Sequence, residues 1–272
     1  MKRIFPIKYF PLITLAVFIV LLVLSSCTKV INIDLNSSSP QMVIEGNVSD
    51  QPGPIVVTLS QTVNFNQTNN FPPVTGAVVR ISDNAGNAAT LAESPSGTYS
   101  TTALQGVPGR TYTLTVTANG KSYTAASTMP KPVNIDTIVF TQGGGFGGRD
   151  KRWEVKFLDP AGVANYYALF VEINNVIQPD FSSSDDNLRD GDTISMRVPG
   201  GDKTVLNPGD SVTVTLESID KYVREYYRLL LQLNNSSGFE SAPPANPVSN
   251  ISNNALGYFS AHSDRKNKFV VP

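Results

Sequence analysis

The sequence predicts a mainly β fold: an immunoglobulin- or transthyretin-like sandwich, then a second β-rich domain carrying one amphipathic helix. Three observations lead there. Short runs of alternating apolar and polar residues recur from Gln41 onward. Gly-, Pro- and Asn-rich turns separate them, and a single stretch, about residues 221–234, has apolar residues at helical spacing.

Before the first strand comes a leader. Lys2, Arg3 and Lys8 form a basic start, and the apolar run from Tyr9 to Leu24 is shorter than the roughly 20 residues that span a bilayer. It ends in Leu24-Ser25-Ser26-Cys27, the pattern of a bacterial lipobox, in which small residues fit the peptidase groove and the cysteine thiol takes the lipid. Residues 1–26 are read as a lipoprotein signal peptide and Cys27 as an acylated N-terminus. Residues 27–40 form a short lipidated tether ending in a Ser/Pro loop. The expected address is the cell outer membrane, lipid-anchored, with the periplasmic or outer side left open.

The body divides at Met129-Pro130-Lys131-Pro132, giving domains at 41–130 and 131–272. In the first, strands are expected at 42–48, 55–59, 77–81, 88–91, 97–101, 111–117 and 121–127. Gln51-Pro52-Gly53-Pro54, Asp83-Asn84-Ala85-Gly86, Pro108-Gly109 and Asn119-Gly120 are the intervening turns. Tyr112, Leu114 and Val116 alternate with threonines and should point into the core. In the second, strands are expected at 133–141, 153–157, 166–173, 194–198 and 211–216, with Lys268–Val271 as a last edge strand. Asp220 is positioned to cap a helix over Tyr222–Leu233, whose stripe of Val223, Tyr226, Tyr227, Leu230 and Leu233 should face the core.

Composition narrows the function. The 246 residues from Cys27 carry 18 basic and 22 acidic side chains without a basic block, so nucleic acid is not an expected partner. Cys27 is the only cysteine, so no disulfide can form and the fold must rest on apolar cores. One histidine, His262, is too few for a zinc site of the usual His/Cys kind. Ser260, Ser263 and Asp264 lie too close to His262 in sequence to resemble known triads, and no G-x-S-x-G is present. No enzyme activity and no cofactor beyond the lipid are expected.

Four local patterns remain. Gly143, Gly145 and Gly148 spell G-x-G-x-x-G, but an alternating strand follows where a dinucleotide site needs a helix, so they read as a hairpin tip. The acidic stretch Asp180–Asp192 offers Asp185, Asp186, Asp190 and Asp192 as oxygen ligands for calcium. It lacks EF-hand spacing, because Leu188 stands at a ligand position, and Arg189 competes for a carboxylate; a solvated polar loop is the expectation. Asp136-Thr137-Ile138, Asp192-Thr193-Ile194 and Asp210-Ser211-Val212 match a short bacterial O-glycosylation pattern, making Thr137, Thr193 and Ser211 acceptor candidates. The Pro/Asn-rich stretch Gly238–Asn254 reads as a long connection before the closing segment Leu256–Ala261.

Three blocks carry a resemblance: the lipobox leading into Cys27–Leu35, the strand Val43-Ile44-Glu45-Gly46, and Asn246–Ala261. With Ser218-Ile219-Asp220 before the Tyr-rich helix, they resemble a Bacteroidetes lipoprotein family known as domain of unknown function 4249. Asn254 stands where glycine is expected, and both tolerate a left-handed backbone. The resemblance implies an accessory or ligand-binding subunit beside a TonB-dependent outer-membrane receptor, and it brings no catalytic residues. Gly76-Ala77-Val78-Val79, Gly97-Thr98-Tyr99 and Gly109–Leu114 also resemble carboxypeptidase-regulatory sandwiches, which implies a spacer or docking face. A fimbrillin-like adhesin is a rival, weakened because no arginine for processing occurs between Cys27 and Arg80. A carboxylate-dependent glycan hydrolase is a second rival, to be judged by carboxylate pairs in space.

Overall fold

The computed structural model describes residues 39–64, 70–142, 151–199, 206–235 and 246–271. The lipobox, Cys27, most of the tether and the glycine run 143–148 lie outside them. Among the described residues the chain is built from strands β1 (Met42–Ser49), β2 (Ile55–Gln61), β3 (Val78–Asp83), β4 (Ala88–Glu93), β5 (Thr98–Thr101), β6 (Thr111–Ala118) and β7 (Lys121–Thr128). Then follow β8 (Thr137–Gln142), β9 (Lys151–Leu158), β10 (Tyr166–Ile173), β11 (Val176–Ile177), β12 (Ser182–Asp185), β13 (Thr193–Arg197) and β14 (Ser211–Ile219). A helix, α1 (Lys221–Asn235), and the 15-residue strand β15 (Leu256–Val270) complete the order. No helix among the described residues is long and apolar enough to cross a membrane.

The first seven strands follow the alternation. On β6, Tyr112, Leu114 and Val116 are buried and the threonines between them are exposed or half-buried. The Asn119-Gly120 turn has both residues at positive φ, 51° and 73°, as a tight two-residue hairpin requires. The fold class predicted from sequence is the one observed, and its buried apolar residues form two large clusters and a smaller one beneath α1. The first packs β1, β2 and β5 against β3, β6 and β7; the second packs β10 and β14 against the three-stranded sheet β13-β9-β8.

One strand belongs to both. The first half of β15 pairs in parallel with β1, from Val43↔Leu256 to Ser49↔His262. Its second half pairs antiparallel with β14, from Ser218↔Ser263 to Ser211↔Val270. Phe259 and Ala261 accordingly enter the first core, while Phe269 packs on the second. The sequence reading of a separate edge strand at Lys268–Val271 is corrected here, because charged Arg265, Lys266 and Lys268 interrupt the apolar pattern without interrupting the strand. A strand needs only backbone partners, and β14 supplies them.

Two short strands were not legible. The Ser182–Asp185 stretch inside the acidic segment pairs with β10 from Leu169↔Ser182 to Tyr166↔Asp185. It has no apolar alternation to announce it. The hairpin into β11 turns on Asn174 and Asn175, both at positive φ.

The helix starts where sequence places it. Asp220 Oδ1 accepts the amides of Tyr222 and Val223, each at 2.9 Å, and its Oδ2 accepts the hydroxyl of buried Ser127. Ser127 Oγ also accepts the Ala261 amide at 2.9 Å, so the cap is tied to both β7 and β15. Replacing Asp220 with Ala should cost about 1–2 kcal/mol, the range of a lost N-cap. A urea titration followed by circular dichroism measures it; an unchanged midpoint would show that the cap is dispensable.

Candidate functional site

The helix crosses the junction at which β15 passes from β1 to β14. On the face it covers, residues alternate along three strands. Glu45 and Asn47 come from β1, Glu217 from β14, and Tyr258, Ser260, His262 and Asp264 from β15. From above, Tyr226, Tyr227 and Leu230 of α1 reach down; Phe170 of β10 and Phe181 stand at the side. All of these but Ser260 and Asp264 line a cavity of about 370 Å³.

Its walls are aromatic and mutually packed. Phe170 stacks on Phe181 at 5.5 Å between ring centroids, and Phe181 meets Tyr227 edge-on at 5.1 Å. Tyr258 lies 5.0 Å from Tyr226 and 5.3 Å from Tyr227. The predicted stripe on the helix therefore does face inward: Val223 and Tyr227 are buried, and Tyr226 and Leu230 are half-buried at the cavity. Burial pushes the Tyr226 phenol up to about 12, and those of Tyr227 and Tyr258 also rise, so all three are neutral donors at neutral pH.

The floor is ionisable. His262 Nε2 lies 3.5 Å from Asp264 Oδ1 and 3.9 Å from Glu217 Oε1. Its Nδ1 is 3.0 Å from Ser260 Oγ, and Ser49 donates to Asp264 Oδ2 at 2.7 Å. Burial raises the Glu217 carboxyl to about 7, against the favourable field of His262. The buried atoms Glu217 Oε2 and Asp264 Oδ1 have no hydrogen-bond partner. Ser260 is 0 % exposed, so the Ser260–His262–Asp264 order along one strand face gives no substrate access to that hydroxyl.

The acidic segment is organised differently. Asp185 ion-pairs with Arg224 of α1. Asp186 is buried, its Oδ2 accepting the Asn165 amide at 2.8 Å. Asp190 Oδ1 accepts the Gly162 amide at 2.7 Å, and Asp192 is exposed, its carbonyl accepting the Asp159 amide at 3.0 Å. Of the four predicted residues the fold gathers Asp186 and Asp190, and adds Asp159, one oxygen from each lying within 4.8 Å of the others. These carboxylates are already occupied with loop amides and the Tyr167 hydroxyl, the usual work of aspartates in turns.

The three Asp-Ser/Thr-apolar sites share a structural position. Thr137, Thr193 and Ser211 are each the first residue of a strand, β8, β13 and β14. Thr137 and Thr193 are exposed and Ser211 is half-buried. The aspartate before two of them braces backbone: Asp136 Oδ2 accepts the Leu158 amide, and Asp210 Oδ2 accepts the Asn207 amide, both at 2.8 Å. Strand entry alone accounts for those two aspartates.

The block Asn246–Ala261 seats β15. Asn250 gives and takes two bonds with the backbone of Phe259, at 2.8 and 2.9 Å, like an extra strand residue. Ser252 bonds Thr124 of β7, and Asn253 and Asn254 both take positive φ, 57° and 56°. The left-handed tolerance expected at Asn254 is used. The family model described as Domain of unknown function (DUF4249) matches residues 28–268. The chain belongs to that family. The match spans every element that builds the DUF4249 cavity, from β1 to α1 and β15. No curated protein matches it. A solved structure titled "Cytokine receptor complex - Crystal form 1A" aligns over 84 % of this chain and 95 % of that one, at 9 % identity and a TM-score of 0.25. A likeness of that size carries no argument about fold or function.

Sequence reasoning missed the cavity floor. The sequence offers His262 as a lone zinc ligand and, with Ser260, Ser263 and Asp264, as a triad too close in sequence, while Glu217 stands unmarked inside an apolar strand. The available signal was the i, i+2 spacing of His262 and Asp264 at the point where polar residues interrupt an apolar strand.

Proposed function

We propose that this chain is a non-enzymatic lipoprotein anchored in the outer membrane, serving as an accessory or ligand-binding subunit of a TonB-dependent receptor system. The observation that carries the reading is the Leu24-Ser25-Ser26-Cys27 lipobox behind a basic, apolar leader. The short stretch from Thr28 to Pro40 would hold the β body close to the bilayer. The aromatic-walled cavity under α1, with a few convergent polar groups, supports a binding role, since such concavities are where small ligands are usually held.

Two measurements test this. Cys27→Ser should move the protein from the membrane pellet to the soluble fraction; continued sedimentation with outer membrane would overturn the anchor. Affinity purification of the tagged protein from gently solubilised outer membrane, read by mass spectrometry, should recover a stoichiometric TonB-dependent receptor. Recovery of the lipoprotein alone, under conditions that keep other receptor complexes intact, would overturn the accessory role.

A further inference from the structure

We propose that Glu217, His262 and Asp264 form a binding site for a divalent transition-metal ion of the zinc class, with its remaining coordination position open to the cavity beneath α1. The inference rests on this cluster alone and stands whether or not the protein serves a receptor.

The donor set fits. One imidazole nitrogen and two carboxylate oxygens, all within 4.8 Å of one another, are donor types that zinc takes, in the number of protein ligands an open zinc site uses. With bonds of 2.0–2.2 Å, tetrahedral ligands stand about 3.3–3.6 Å apart. His262 Nε2 is already 3.5 Å from Asp264 Oδ1, and the 3.9 Å to Glu217 Oε1 closes with a small side-chain adjustment. Imidazole beside carboxylate favours zinc, iron(II) or manganese(II) over calcium, which takes six or more oxygens.

The surroundings fit as well. A metal-bound histidine commonly donates its other ring N–H to a fixed acceptor, and Ser260 Oγ stands 3.0 Å from Nδ1. Ser49 holds the far oxygen of Asp264, leaving Oδ1 turned toward the histidine. Oδ1 of Asp264 and Oε2 of Glu217 are buried without a hydrogen-bond partner, an arrangement that costs free energy unless something binds there. Arg265 does not fill the role: it binds Asp50 Oδ2 and the carbonyl of Asp264. A dication there would sit between the buried Asp264 carboxyl, the largely buried Glu217 carboxyl and one imidazole, and would offset the cost of desolvating them. Access exists, because His262 and Glu217 both line the cavity.

The test uses the full chain in detergent, without a polyhistidine tag, stripped with chelator and titrated calorimetrically with zinc chloride. One equivalent should bind. His262→Gln and Asp264→Asn should each weaken binding on the order of 100-fold, while Asp190→Asn, in the other carboxylate cluster, should leave it unchanged. Circular dichroism confirms that each variant is folded. Should the ligand variants not fold, Ser49→Ala removes the hydroxyl that supports Asp264, together with its bond from the exposed Gln51 amide, and should weaken binding about tenfold. Absence of stoichiometric binding to the stripped wild-type chain would overturn the site. So would affinity that no substitution in the cluster changes, or that falls only with Asp190→Asn.

Discussion

Gly257→Ala should lower stability by about 4 kcal/mol or more, a loss reserved for severe steric and backbone conflicts. Gly257 has φ +91°, and a Cβ there would lie 2.1 Å from the carbonyl oxygen of Ile44 and 2.8 Å from its carbon. Those atoms are backbone in β1, so no side-chain rotation relieves the overlap. Relief requires moving β15 away from β1 at the start of their parallel pairing, where Ile44↔Gly257 is the second pair in register. The disturbance reaches Tyr258 and Phe259, the next two residues, one at the cavity and one in the first core. Because each kcal/mol shifts the midpoint by roughly 2–4 °C at this size, a fall of about 8 °C or more is expected in a thermal melt. Gly120→Ala separates the two causes. Gly120 also has positive φ, 73°, but nothing lies within 4 Å of its added Cβ, so only the backbone cost, about 1 kcal/mol, should appear. Equal losses at the two positions would show that the close approach of β1 and β15 does not matter.

That junction shows why the strands were legible and their arrangement was not. Alternation and turn chemistry are local, so β1 to β7 and the capped helix follow from residues within reach of one another along the chain. Asp83 illustrates it: its carboxylate accepts the amides of Ala85 and Asn87 within its own turn. Pairing between β1 and β15 joins residues more than 200 apart in sequence, and no local pattern specifies it. Strand β12 was hidden for another reason. Ser182-Ser183-Ser184-Asp185 contributes backbone to the edge of β10 and needs no apolar face to do so.

The candidate site divides along the same line. The Leu24-Ser25-Ser26-Cys27 pattern is contiguous and readable, and so are Tyr226 and Tyr227 of α1. The cavity floor is assembled from β1, β14 and β15, so Glu45, Glu217 and His262 meet only after the long-range pairing has formed. The acidic segment shows the converse. A dense run of aspartates is conspicuous in sequence, yet Asp185 leaves it for an ion pair with Arg224 and Asp192 for solvent, and only Asp186 and Asp190 come together, each holding a loop amide.

Asp159, which sequence reading passed over, is the residue of that region with the largest expected effect. It is 2 % exposed; one carboxylate oxygen accepts the Tyr167 hydroxyl and the other the Gly191 amide at 3.1 Å. Burial, reinforced by this carboxylate, holds the Tyr167 phenol far above its ordinary range, so it remains a donor throughout neutral pH. Tyr167 is itself 0 % exposed and packs edge-on against Phe157 in the second core, with no solvent to replace a lost acceptor. Asp159→Ala strands a buried hydroxyl and an amide together, and stranding each such group costs about 1–3 kcal/mol. A loss of about 3 kcal/mol is therefore expected by chemical denaturation. Tyr167→Phe removes the stranded donor, so the double variant should lose less than the two single losses combined, by on the order of 1–2 kcal/mol. Strict additivity would mean that this hydrogen bond does not hold the loop. Asp192→Ala completes the comparison: it is exposed, its side chain bonds nothing among the described residues, and its effect should stay within about 0.5 kcal/mol. What decides the stability of this segment is thus the buried aspartate twenty-six residues before Asp185, because burial rather than local charge density sets the cost of losing a carboxylate.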